Sequence, residues 1–413
     1  MPIKIIFKKG IYDKYPFEIV ERKGLGHPDT LCDFIAEEIS REYSQYCLKK
    51  IGFILPHMID KIGLIGGLSN CNFGHGKVVK PITLLLNGRL STCFNNLKIP
   101  AEKIALETIK KSLKIRLPLL NQSKNLKIQN NLHCSRGPGV VKDFAKRNER
   151  SRYYRPKLFY DVMHNQKMIR SNDTSTAVGY YPLSVAEKMA LKTEHYLNSN
   201  SFKTRHPYVG SDIKVMVVRE KNNIGITCCI PFIAKYTPSL DFYIKKKEYL
   251  KKLLQDFVSR NFKRHKIAIF INTRDNYAKP DVYLTAIGSA IETGDEGLVG
   301  RGNRYNGIIS FNRPMSLEAY FGKNPVHHIG KVYTYLANKI AKRIYNSLQI
   351  ESEVYLVSQM GRPINDPWGA FIILNADYSK MAIKQAQKIF TDEFKNTKKA
   401  TQEIISQSKY AGC

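Results

Sequence analysis

Glu21 to Asp33 reads E-R-K-G-L-G-H-P-D-T-L-C-D. Two glycines let the backbone turn tightly before His27, and Pro28 suits the first position of a helix, where its missing N–H has no intrahelical partner. The spacing predicts that a helix starts here. Leu31, Ile35, Ala36 and Ile39 recur at helical intervals, with Glu37, Glu38 and Arg41 expected to turn outward, so one face is buried and the helix is a rigid mount for its own N-terminus. That end gathers Lys23, His27 and Asp29: a cation, a group that donates or shuttles a proton, and a hard oxygen ligand. Free N–H groups and partial positive charge at a helix N-terminus favour anions, and a carboxylate beside them can hold the magnesium that phosphates also ligate. The stretch reads as one wall of a polyphosphate site; the plainer alternative is a capped helix with a turn histidine.

A chain of 413 residues with 43% hydrophobic content is long enough for two or three domains with cores of their own. It contains no 18-residue apolar run, and its first ten residues, M-P-I-K-I-I-F-K-K-G, lack the pattern of a signal peptide. A soluble, cytoplasmic protein without a membrane partner is expected. The eight cysteines form no C-x-x-C pair, which points to free thiols in a reducing compartment. Lysine and arginine outnumber acids 66 to 35, a net charge of +31, which implies affinity for polyanions. The cations are dispersed, in K-K-K at 245–247 and in K-K pairs such as 49–50, 110–111, 251–252 and 398–399, so a solvated lysine-biased surface outweighs a dedicated nucleic-acid patch.

Two strands are expected at Ile62 to Gly67 and Val78 to Leu86, joined by a glycine-rich turn, with Pro81 placing the second at an edge or bulge. A helix is expected from Ala101 to Leu113, and residues 118–172 read as the least regular part. Thr176 to Tyr181 is a strand, and Ser184 with Glu187 forms a capping box. Asp212 to Arg219 and Ile224 to Ile230 form a hairpin, followed by a helix over 240–262 and a strand over 266–272. Further on come a strand at 282–287, a capped helix after Pro314-Met315-Ser316, a helix from Val326, strands at 354–358 and 371–375, and a lysine-rich terminal helix. Pro182-Leu183-Ser184 and Pro314-Met315-Ser316 are a faint hint of repeated units. The alternation with hairpins indicates α+β domains.

Four further stretches carry site-like chemistry. Gly294 to Arg304, G-D-E-G-L-V-G-R-G-N-R, brings backbone N–H groups and two arginines to a ligand, without the spacing of a Walker loop or a dinucleotide fingerprint. Phe321 to Lys331, F-G-K-N-P-V-H-H-I-G-K, puts Lys323 beside a histidine pair at a loop-to-helix junction. Asn172-Asp173-Thr174-Ser175 is a polar knot before a strand, and alternation puts Asp212 and Lys214 on one side of theirs. Each alone is more often structural than catalytic; together they point to triphosphate chemistry.

In this order the motifs resemble those of the archaeal-type methionine adenosyltransferases, the S-adenosylmethionine synthetases. Members carry E-R-K-G-x-G-H-P-D, N-D-T-S, an E-D-I-K-V-M-like strand, G-D-x-G-x-V-G-R-G-N-R, R-P-M-S and G-K-N-P-V, which stand here at 21–29, 172–175, 212–216, 294–304, 313–316 and 322–326. The resemblance implies three similar α+β domains with mixed or antiparallel sheets and helices on one face, approximately 1–140, 141–275 and 276–413, with segments open to exchange between them. It implies synthesis of S-adenosylmethionine from ATP and L-methionine, with magnesium, usually potassium, and active sites shared between the subunits of a homodimer.

The resemblance assigns His27, Lys214 and Lys323 to catalysis. Lys23, Gly137, Gly139, Asp212, Arg301 and Arg304 go to ATP and its phosphates, Asp173, Asp295 and His327 to substrate, and Asp29 to the metal. Departures from the family pattern are Lys77 in place of an acid, Val140 and Lys142 after the Gly137-Pro138-Gly139 segment, His327 in place of asparagine, and Met58. They bear on methionine affinity and the potassium site. They also keep an alternative open: a nucleotide-binding or regulatory protein, or another thioether substrate.

Overall fold

Three hydrophobic clusters organise the chain, each formed where a β-sheet receives helices on one face. The computed structural model describes residues 3–10, 15–134, 154–157, 169–263 and 265–406. The first sheet runs Lys4–Phe7, Gly369–Leu374, Ser352–Val357, Thr176–Tyr181 in spatial order and carries the helices Ile329–Leu348 and Lys380–Lys395. The second runs Leu126–His133, Ile82–Leu90, Gly63–Ile65, Gly297–Leu298, with helices Pro28–Ile51 and Ala101–Arg116. The third runs Lys266–Ile271, Asn223–Cys229, Lys214–Glu220, Phe17–Lys23, Ile309–Ser310, with helices Val185–Leu197 and Leu240–Asn261. In each sheet one edge strand is added in parallel to an otherwise antiparallel set, so the three units are alike in pattern as well as composition.

Side-chain alternation explains the one-sided cover. Val215 and Val217 point into the third core, which leaves Lys214, Met216 and Val218 on the opposite face. Phe270 on the same sheet, and Ile65 and Leu298 on the second, are exposed in the same way, between 45% and 56%. The uncovered faces are therefore partly apolar.

Strand exchange positions the site. Phe17–Lys23 lies between Lys214–Glu220 and Ile309–Ser310, which pairs Lys23 with Lys214 and Glu21 with Met216 and Ile309. Gly297–Leu298 is the far edge of the second sheet and packs on the start of the helix Pro28–Ile51.

Several expectations are corrected. Glu37 does not face solvent: it is 1% exposed and paired with Lys331 at 2.5 Å, while also accepting the Gly322 N–H. Leu68 to Lys77 is not a simple turn, because Leu68–Asn72 and His75–Lys80 form a hairpin of their own before Pro81. Residues 126–133, read as irregular, are a strand parallel to Ile82–Leu90. No helix follows Ser316; its hydroxyl instead accepts the Val178 N–H, which ties the segment to the first sheet, and the next helix waits until Ile329. The Pro-x-Ser pair therefore marks no repeat. Within K-K-K, Lys247 pairs with Asp275 at 2.6 Å and Lys246 lies over the rings of Tyr208, Phe242 and Tyr249, so this run is not simply solvated.

Candidate active site

His27 is the N-cap of the helix Pro28–Ile51, with Pro28 at the first helical position. Its Nδ1 accepts the Asp29 N–H at 3.2 Å, so the neutral ring keeps its proton on Nε2 as a donor. Gly26 serves close approach rather than an unusual turn: a Cβ there would lie 2.2 Å from Ser211 Oγ and 2.8 Å from the Asp212 nitrogen. This contact sets the E-R-K-G-L-G-H segment against the strand that carries Lys214.

His27, Asp29, Asp212, Lys214 and Asp295 line one cleft of about 580 Å³, together with Cys229, Arg274, Asp275, Asp281, Tyr283 and Glu296. Lys23 Nζ bonds Asp29 Oδ2 at 2.7 Å and the Arg301 carbonyl at 2.8 Å, so it joins the helix start to the glycine-rich segment. The Asn303 side-chain amide closes the same joint by accepting the Lys23 N–H at 2.9 Å and donating to the Lys23 carbonyl at 2.7 Å. Lys214 Nζ lies 2.8 Å from Glu21 Oε2. Asp212 accepts the Ala290 N–H at 2.8 Å; burial raises its pKa, against the pull of His27. Five sequence candidates thus converge in one cavity, with Lys23 and Arg301 adjoining.

Arg301 is exposed, and its guanidinium makes no hydrogen bond among the described residues. Arg304 behaves differently. It donates from Nη1 to the Gly300 carbonyl at 2.9 Å and from Nε to Met315 Sδ at 3.3 Å, and it lines a separate cavity of about 170 Å³. Burial lowers its pKa. It braces the loop from behind instead of lining the cleft.

Lys323, Asp173 and His327 lie elsewhere. Lys323 is 1% exposed, its ammonium held by Asp60 at 2.5 Å and Glu318 at 3.0 Å. Burial would raise the Asp60 pKa, but Lys323 beside it outweighs burial and, with Lys61, holds the carboxyl down to about 2. Asp60, Glu318 and His328 bring their ligand atoms within 4.8 Å of one another. His328 Nδ1 already accepts the Gly330 N–H, which leaves Nε2 protonated in the neutral ring, and the lysine supplies the positive charge between the acids. This cluster is a lysine clamp rather than a metal cage. Asp173 accepts the Thr174 N–H at 2.7 Å, and Asn172 connects its loop to His327 and to the Ile329 N–H. Gly137 and Gly139, with Val140 and Lys142, lie outside the described residues.

The donor set of the cleft fits a hard cation such as magnesium. Asp29 engages each oxygen once, with Leu298 N and Lys23 Nζ, which leaves lone pairs for a metal. Among the described residues neither Asp295 nor Glu296 forms an ion pair, so the cleft keeps uncompensated hard oxygens although the whole chain carries +31.

The wall from Asn272 to Tyr283 was missed by motif reading. Its signal is charged residues just past the end of the strand Lys266–Ile271, where Arg274, Asp275 and Asp281 gather. Asn303 and Glu21 stood inside quoted motifs, but their partners are far away in sequence.

Comparison with known proteins matches residues 4–408 to the family described as S-adenosylmethionine synthetase (AdoMet synthetase). A "Probable S-adenosylmethionine synthase" of Aquifex aeolicus is 42% identical over 352 residues, covering 85% of this chain and 84% of its own. The S-adenosylmethionine synthase of Archaeoglobus fulgidus is 36% identical over 399 residues, 95% of each chain. The solved structure described as an unusual S-adenosylmethionine synthetase from Campylobacter jejuni superposes with a TM-score of 0.57 at 13% identity over 96% of each chain, a likeness of fold.

Proposed function

This chain belongs to the S-adenosylmethionine synthetase family and is a methionine adenosyltransferase, and we propose that the cleft around His27, Asp29, Lys214 and Asp295 is where it joins ATP to L-methionine. The observation that supports this reading is the meeting of those four residues in one cavity, with the guanidinium of Arg301, which makes no hydrogen bond among the described residues, at the neighbouring joint.

A thioether is neutral and weakly nucleophilic and needs no general base. Catalysis is then alignment of sulfur, C5′ and the leaving oxygen, and stabilisation of charge on the departing triphosphate. His27 donates from Nε2 to the oxygen at the ribose–triphosphate junction. Lys214 exchanges Glu21 for the leaving oxygen, and Arg301 holds terminal phosphate oxygens. Asp212, buried and tied to Ala290 N, fixes the floor. Asp29 is the residue that would hold magnesium, which when bound supplies neutralising charge to the triphosphate, and Asp295, expected to meet substrate, lines the same cleft. Water then cleaves the triphosphate to diphosphate and phosphate in the same place.

We further propose a homodimer acting in the cytoplasm. The cleft opens on the uncovered sheet face, where Val218 and Phe270 expose apolar surface, and a second copy there would shield both. Asp173 and His327 would then face the neighbouring copy's cleft, with Lys323 bracing their loop. The experiment is incubation of the purified chain with ATP, L-methionine and magnesium, with S-adenosylmethionine measured by mass; His27→Ala is expected to abolish the product while the fold remains.

A further inference from the structure

Asp29 and Asp33 stand one helical turn apart, and their carboxylates grip alternate backbone amides of the glycine-rich segment. Leu298 N donates to Asp29 Oδ1 at 2.9 Å and Gly300 N donates to Asp33 Oδ1 at 2.8 Å. The strand ends at Leu298, and a turn closed by Arg301 N donating to the Leu298 carbonyl at 3.2 Å, with Gly300 at φ 87°, brings the Gly300 N–H to the second carboxylate. Asp33 is completely buried, and its Oδ2 has no hydrogen-bond partner among the described residues. That oxygen points at the next part of the loop, since a Cβ on Gly302 would lie 2.2 Å from it. Gly302 lies between Arg301 and Asn303, the residue that clamps Lys23. Burial pushes the Asp33 pKa up, opposed by the Gly300 N–H bond and by Arg304.

We propose that Asp33 is a positioning residue for adenosyl transfer: it seats Gly300 and Gly302 against the helix, so that Arg301 is presented to the triphosphate in a fixed pose. The absence of a side chain at 302 is then a requirement of Asp33, not of the ligand. This inference rests on the phosphate-holding role proposed above for Arg301.

The test is a double-mutant cycle with kcat and KM measured separately. Asp33→Ala lowers kcat about tenfold or more with the methionine KM nearly unchanged, because a slack loop loses transition-state contacts first. Asp33→Asn keeps an acceptor for the Gly300 N–H and retains kcat within about threefold. Gly302→Ala is harmful in the parent but costs at most about threefold when added to Asp33→Ala, where the methyl group occupies the vacated space. Full activity of Asp33→Ala, or equal harm from Gly302→Ala in both backgrounds, overturns the proposal. Arg301→Ala measured alongside separates the failures: if it is fully active, the phosphate role falls; if it is impaired while Asp33→Ala is not, only the positioning role falls.

Discussion

Lys214 Nζ lies 2.8 Å from Glu21 Oε2, while its register partner Lys23 is tied to Asp29 at 2.7 Å and lies 4.0 Å from Glu21 Oε1, so two ammonium groups stand abreast with Glu21 reaching both. A triphosphate oxygen can replace the Glu21 contact without reorganising the strands. Lys214→Ala should therefore lower kcat about 100-fold while changing the ATP KM little, the signature of a contact strengthened in the transition state. Initial rates over a range of ATP concentrations check this.

The metal-holding role proposed for Asp29 predicts magnesium dependence. Chelation should stop turnover, and Asp29→Asn should raise the magnesium concentration for half-maximal rate about tenfold or more. The amide oxygen can still accept the Leu298 N–H, so the melting temperature should fall little. A rate unaffected by metal removal would contradict the role given to Asp29.

The Glu37–Lys331 pair was invisible in the sequence for a physical reason. A glutamate four residues from an arginine on an amphipathic helix is ordinarily solvated, and the partner that draws it inward lies 294 residues away. The strand at 126–133 was hidden by its polar composition, L-K-I-Q-N-N-L-H, and the missing helix after Ser316 by a cap-like serine that bonds a strand instead. The helix start at Pro28, the hairpin 214–229 and the capping box at Ser184 were legible because their determinants are local. The motifs pointed to His27, Asp29, Asp212, Lys214 and Asp295 but not to Arg274, Asp275 or Asp281 of the same cleft, and local sequence carried no sign that Arg304 and Lys323 turn away from it.

Breaking that pair tests the burial. Lys331→Met alone leaves a carboxylate uncompensated and should destabilise the fold by about 3–5 kcal/mol, whereas Glu37→Gln with Lys331→Met should recover much of this. Urea unfolding reads both.

Lys203 gives a pH signature. Burial lowers its pKa from 10.5 to about 7, only partly opposed by Glu194, and its ammonium donates to the Val209 and Gly210 carbonyls. Because the unfolded lysine keeps its proton to higher pH, the unfolded state binds more protons between these values, and this group makes stability rise with pH there. The cost is full below about pH 7 and is relieved toward 10.5. The melting temperature of the parent relative to Lys203→Met should therefore climb from pH 7 to 9.5; a flat difference would contradict the burial.

The proposed sharing of sites between two copies predicts complementation. His27→Ala and Asp173→Ala chains should each be inactive alone. Co-expressed and randomly paired, they should regain about a quarter of parental activity, since half the dimers are mixed and each holds one intact site.

The most direct measurement is turnover itself. Purified protein given ATP, L-methionine and magnesium should yield S-adenosylmethionine with one diphosphate and one phosphate per product, detected by mass and phosphorus resonance. Bound nucleotide without any S-adenosylmethionine would contradict the account.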